Sequence, residues 1–106
     1  MPHHKIVVYV PVDHADKIRG AIGDAGGGKL GNYAFCSFSA KGTGRFRPEP
    51  GANPVIGKIG QLEEVEEERI EVTCDSHLVR NVVAAIVHAH PYEEVAMDIW
   101  ALEDWK

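Results

Sequence analysis

The chain has 106 residues, enough for one hydrophobic core and too few for two, so a single domain over residues 1–106 is expected. Its 16 acidic against 11 basic side chains leave a net charge of -5, which excludes a basic field for nucleic acid or for an anionic membrane surface. No apolar run reaches the roughly 20 residues of a bilayer span, and the start MPHHKIVVYV lacks signal-peptide character, so a cytoplasmic location is expected.

His3 and His4 read as a frayed tail. A strand follows in KIVVYVPV, with Ile6, Val8, Val10 and Val12 on one face and Val7 and Tyr9 on the other. Asp13 suits the cap of a helix over residues 14–25, whose Ile18, Ala21, Ile22 and Ala25 recur at helical spacing before Gly26 stops it. The glycine-rich GGGKLGNY leads to a second strand beginning near Tyr33, with Ala34, Cys36, Phe38 and Ala40 opposing Phe35, Ser37 and Ser39. Cys36 and Cys74 lie far apart without a CxxC pattern and read as buried, reduced thiols.

Residues 42–60 are so dense in Gly and Pro that they read as a long excursion without regular structure. The third strand alternates Ile70, Val72 and Cys74 against Arg69, Glu71 and Thr73, and the acidic run at residues 63–68 marks its solvated start. Asp75 or Ser76 can cap a second helix with the stripe Leu78, Val82, Ala85, Ile86 and Ala89, which Pro91 ends. The last strand lies in VAMDIWALE, with Met97, Ile99 and Ala101 against Ala96, Trp100 and Leu102.

The order βαββαβ is that of an α+β, ferredoxin-like sandwich: a four-stranded antiparallel sheet, both helices on one face, and a long excursion between the second and third strands. Right-handed crossovers place the first and third strands in the centre. The helices leave Tyr9, a phenylalanine of the second strand and Trp100 against water. A homo-oligomer, dimer or trimer, packed through the open sheet face is therefore expected.

Chemistry concentrates in two stretches. In HAHPYEE, His88, His90, Glu93 and Glu94 are donors suited to a divalent metal, yet residues two apart on a helix point in nearly opposite directions. The other reading is structural: Pro91 stops the helix, His90 satisfies backbone groups and Tyr92 anchors the turn. Glu93 with His90 would make an acid/base pair, but no nucleophile or oxyanion donor accompanies it, so no catalytic residue is assigned. In the excursion, Arg45 and Arg47 flank Phe46 and suit a small anion or a protein partner. Against this, Phe46 can fill an intersubunit pocket while the arginines pair with the acidic run, and Asn53 can be a turn residue. The candidate ligand-binding set is thus Arg45, Phe46, Arg47, Asn53, His90 and Glu93, with no cofactor expected beyond a possible divalent metal.

AGGGKLGNYAFCSF, GTGRFRPEPGANPVIGKIG and HAHPYEEVAMDIW together resemble the CutA/PII-like inserted domain of the YqfO/YbgI, or Nif3-like, family. The shared features are the GNY turn at Gly31, the GTG at Gly42, Phe46, Pro48, the segment GANPVIG and HPYEE from His90 onward. The resemblance implies the same fold and a standalone, non-catalytic binding or regulatory module. It also implies that the family's dinuclear metal centre lies on a surrounding domain, which leaves an accessory subunit of a metal-dependent hydrolase, or a metal-tolerance protein of the CutA kind, as alternatives. Lys29 stands where the resemblance implies histidine.

Overall fold

A computed structural model describes residues 2–105. β1 (His3–Pro11), α1 (Ala15–Asp24), β2 (Phe38–Phe46), β3 (Glu63–Asp75), α2 (Val79–Ala89) and β4 (Met97–Leu102) follow in the expected order. All pairings are antiparallel and the strand order is β2-β3-β1-β4, so β1 and β3 are central, as right-handed crossovers require. Among the described residues no helix is long and apolar enough to cross a membrane.

Strand alternation turns Ile6, Val8 and Val10 of β1 and Ile70, Val72 and Cys74 of β3 to the same side. There they meet Ile18 and Ile22 of α1 and Val82 and Ile86 of α2 in one buried cluster. Each such aliphatic side chain contributes roughly 1.5–3 kcal/mol by leaving water, so this layer holds the domain together. Burial, then the neighbouring Asp75, pushes the Cys74 thiol up, which leaves it protonated and inert. Cys36 is half-exposed rather than buried.

Four expectations need correction. The second strand starts at Phe38, not near Tyr33, because the chain before it is still turning: Phe35 has φ 59°, and Gly28 donates to the Thr73 carbonyl while accepting from the Cys36 amide. The excursion is shorter than expected, because β2 continues through Phe46 by pairing with the acidic run, Gly42 opposite Glu67 and Gly44 opposite Val65. None of Asp13, Asp75 and Ser76 caps a helix; 3-10 turns at Val12–His14 and Ser76–Leu78 carry each helix start beyond their reach. His3 and His4 are not frayed, since both lie in β1 between β3 and β4, with His3 Nε2 3.0 Å from Asp75 and His4 Nδ1 2.6 Å from the Ser76 hydroxyl.

The sheet face away from the helices is less apolar than the sequence suggests. Phe38 and Trp100 are exposed at its two edges, and Val7 is buried on it. Between them run Lys5, Arg69 and Glu71, where the Glu71 carboxylate takes Lys5 at 3.7 Å and Arg69 at 3.1 Å. Apolar rims thus flank an ion-paired middle. β1 ends at Pro11 opposite Glu67, so residues 63–66 and their β2 partners extend past it as a two-stranded arm.

α1 is fastened to the sheet by charge as well as by packing. Arg19 donates to the Glu68 carboxylate at 2.6 Å, to the Ser39 hydroxyl at 3.0 Å and to Asp16 at 2.6 Å, and Glu68 is 7% exposed. These partners raise Arg19, Asp16 first and Glu68 second. Removing the cation strands a buried carboxylate. Arg19→Met is expected to cost about 2 kcal/mol, or roughly 10 °C in Tm, and Arg19→Met/Glu68→Met less than that. Thermal melts of the three variants check this; a double variant as unstable as the single would contradict it.

Candidate functional site

The site is built on His90, the first residue past α2, whose backbone is already extended (φ -73°, ψ 139°) as a residue before proline prefers. Its amide closes the helix on the Ile86 carbonyl at 2.9 Å. The Tyr92 amide donates to Nδ1 at 3.1 Å, so Nδ1 is an acceptor, and the ring proton on Nε2 is left to donate to the Tyr9 carbonyl at 2.8 Å. One neutral tautomer is thereby fixed. Burial holds His90 below the usual histidine range, His14 adds to the depression, and the Tyr9 carbonyl opposes it.

This clasp brings Tyr92 over the open face of the sheet. The Tyr92 ring meets Phe46 edge-on at 5.9 Å and tilts against His90 at 5.2 Å. Its hydroxyl is buried without a well-formed hydrogen bond, although it lies close enough to the Glu67 carboxyl for each to act on the other's proton. Burial and then Glu67 push the Tyr92 phenol up to about 12. Burial also raises Glu67, against the pull of the Tyr92 hydroxyl.

The excursion folds back onto the same place. The Asn53 amide donates to the Glu93 carboxylate at 2.7 Å, and the Gly60 amide donates to the carbonyl of Pro48, which is buried. Between arm, excursion and turn lies a cavity of about 740 Å³. Of the residues singled out in the sequence, Arg45, Phe46, Arg47, Glu93 and Glu94 border it. Asn53 acts on it through its backbone, and His90 stands behind Tyr92. His88 is exposed on α2 and does not join them, and among the described residues no group of three or more His, Cys, Asp or Glu gathers at metal-binding spacing.

Neither excursion arginine is idle. Arg47 reaches Glu49 through Nε at 3.0 Å and Nη2 at 2.8 Å, and Arg45 lies 3.8 Å from Glu64. Strand pairing sets Arg45 beside Glu64, on the opposite side of the arm from Phe46. The cavity also uses Tyr9, Gly42, Glu67 and Arg69, none of them in the candidate ligand-binding set drawn from the sequence. Arg69 donates to the Tyr9 hydroxyl at 2.9 Å and lies 5.8 Å from that ring's centre. Pairing GTG in the sequence with the acidic run would have found Glu67, because it sets that carboxylate opposite a bare glycine.

The fold is that of a ferredoxin-like domain of the CutA type. No protein-family model matches the chain. It superposes on the periplasmic divalent cation tolerance protein CutA of Archaeoglobus fulgidus with TM-score 0.65 at 18% identity, over 98% of this chain and 85% of that one, a likeness of fold. On a Bacillus cereus protein related to NIF3 the TM-score is 0.85 at 50% identity, over 97% of this chain and 26% of that one. The GTP cyclohydrolase 1 type 2 homolog of Halalkalibacterium halodurans is 52% identical over 99 residues, 93% of this chain and 27% of that protein. The chain thus matches one segment of Nif3-like proteins and has a CutA-like fold, and it spans about a quarter of the length of the curated relatives it matches.

The clasp sets a pH dependence. His90 binds its proton less readily folded than unfolded, so its contribution is complete above the unfolded value of about 6.5 and is lost as pH falls from there toward the lowered folded value. Wild-type Tm is expected to drop between about pH 7 and pH 5, and His90→Gln, which can still accept and donate but does not titrate, to show a shallower drop. Melts across that range check it; parallel curves for the two proteins would place the titration elsewhere.

Proposed function

We propose that this domain is a non-catalytic, homo-oligomeric binding or regulatory module that takes a small charged molecule into the cavity beneath the excursion and works in the cytoplasm. The cavity carries this reading. Three segments far apart in the chain converge on it, its surface is mainly apolar, and its polar groups are few and held in place, as in small-molecule sites generally. Arg45 and Arg47 contribute at its margin. Their pairs with Glu64 and Glu49 are exposed and worth little, so a ligand carboxylate or phosphate can displace those partners.

Assembly as a dimer or trimer is supported by the rings left in water on the open sheet face, Phe38 at 67% and Trp100 at 43% exposure. A second reading, an accessory domain of a larger metal-dependent hydrolase, is favoured by the share of its relatives that the chain spans. The divalent-metal alternative draws on His88, Glu93 and Glu94, since His90 has both ring nitrogens engaged.

Native mass spectrometry with a thermal-shift panel of carboxylates, phosphates, amines and zinc tests these readings together. The proposal expects a dimer or trimer, a shift with at least one organic ligand, and a carboxylate or phosphate shift that is lost in Arg45→Ala/Arg47→Ala. A monomer at all concentrations with no organic ligand bound would contradict it. A zinc shift abolished by His88→Ala would favour metal instead.

A further inference from the structure

The charges around the cavity are unevenly satisfied. Its lining has as many basic as acidic side chains, but among the described residues the arginines are paired: Arg47 with Glu49, Arg69 with Glu71 and Arg45 with Glu64. Glu67 forms no ion pair. Glu93 and Glu94 likewise form no ion pair among the described residues, against the one unpaired lining cation Lys41, so the unpaired charge around the space is negative. It is also partly withdrawn from water, since burial raises the Glu67 carboxyl.

Two further observations say what would complete it. The buried Tyr92 hydroxyl makes no hydrogen bond of good geometry among the described residues; its proton faces the Glu67 carboxyl, and its oxygen is left able to accept from a further donor. The backbone opposite is bare. A Cβ on Gly44 would come within 1.9 Å of the Glu67 carboxylate, whereas a Cβ on Gly42, the register partner of Glu67, would meet nothing within 4 Å. The GTG glycines thus give the carboxylate its resting place and leave the space in front of it open. Phe46 and Tyr92 add aromatic rings, whose negative quadrupole suits a cation, while the Tyr9 ring already carries Arg69.

We infer that the cavity is a site for an organic ammonium ion: a primary amine on an apolar body, donating to the Glu67 carboxylate and the Tyr92 hydroxyl among the aromatic rings. This deepens the proposed binding role and rests on it. A bare metal ion does not fit the same chemistry, because one carboxylate and a phenol make too few oxygen ligands and the walls are apolar. An ammonium group offers three donors to two waiting acceptors, and the apolar body fills the remaining space. A carboxylate on the same ligand would face Arg47.

Calorimetric titration of the full chain with phenethylamine, 3-phenylpropionate and phenylalanine tests this, since the three share a ring and differ in charge. Phenethylamine and phenylalanine are expected to bind wild type at least about ten-fold more tightly than 3-phenylpropionate, a gap of one charge-assisted hydrogen bond. Glu67→Gln, which keeps shape and removes charge, should reduce amine binding about ten-fold or more. Gly42→Val should abolish binding of all three while leaving Tm unchanged or raised, because the added side chain enters the cavity and suits a strand. If only 3-phenylpropionate binds, and Gly42→Val blocks it, the ammonium inference is overturned and the cavity remains an anion site. If nothing binds, or amines bind Glu67→Gln and Gly42→Val as well as wild type, the ammonium inference is overturned; the first result also counts against the cavity, the second places amine binding outside it.

Discussion

One imidazole decides where the functional groups of this domain stand. His90 joins the end of α2, the carbonyl of Tyr9 in β1 and the amide of Tyr92 through three hydrogen bonds, two from its ring and one from its own amide. Without it, Pro91 would stop the helix but nothing would aim the residues that follow. With it, Tyr92 is laid over the sheet and Glu93 is presented to Asn53, so the excursion acquires a floor to dock on. A stretch that carries metal-ligand residue types but reads first as a helix stop and turn thus acts on the cavity by positioning it.

The neighbouring glutamates Glu67 and Glu68 show how alternation separates support from chemistry. Glu68 points to the helix side, where Arg19 and the Ser39-bearing edge of the sheet close around it. Glu67 points to the open side, next to a hydroxyl with no well-formed partner and opposite a glycine. The first carboxylate is compensated and ties α1 to β3. The second has no ion-pair partner among the described residues and lies on the face opposite the helices, a cost that a fold bears where a ligand or partner offsets it.

Much of the architecture was legible in the residues. The apolar alternation of β1 and β3 and the helical stripes of α1 and α2 fixed element types, order and sheet topology, because burying one face leaves few ways to arrange six such elements. The GNY, GTG, GANPVIG and HPYEE motifs pointed to Nif3-like proteins, and such proteins are among the relatives that sequence and structure bring to this chain. What was not legible depended on contacts between distant segments. Glycines in β2 read as irregular until Glu67 and Val65 are seen opposite them, and β1 histidines read as frayed until β3 and β4 flank them. The arginines of the excursion drew attention by their spacing, while Arg69 and Glu67 looked like ordinary strand-surface charges. Only the fold-back of the excursion, anchored at Asn53, gives those two a shared concave setting.

The central claim is that the excursion is docked on the HPYEE turn and that His90 holds the turn in place. Amide hydrogen exchange resolved at Tyr92 and Asn53 tests it most directly, because both amides are bonded only within this arrangement. The account predicts protection at both in the wild type, and its loss at both in His90→Ala while amides between β1 and β3 stay protected. Rapid exchange at Asn53 and Tyr92 in the wild type, or protection there that survives His90→Ala, would contradict it.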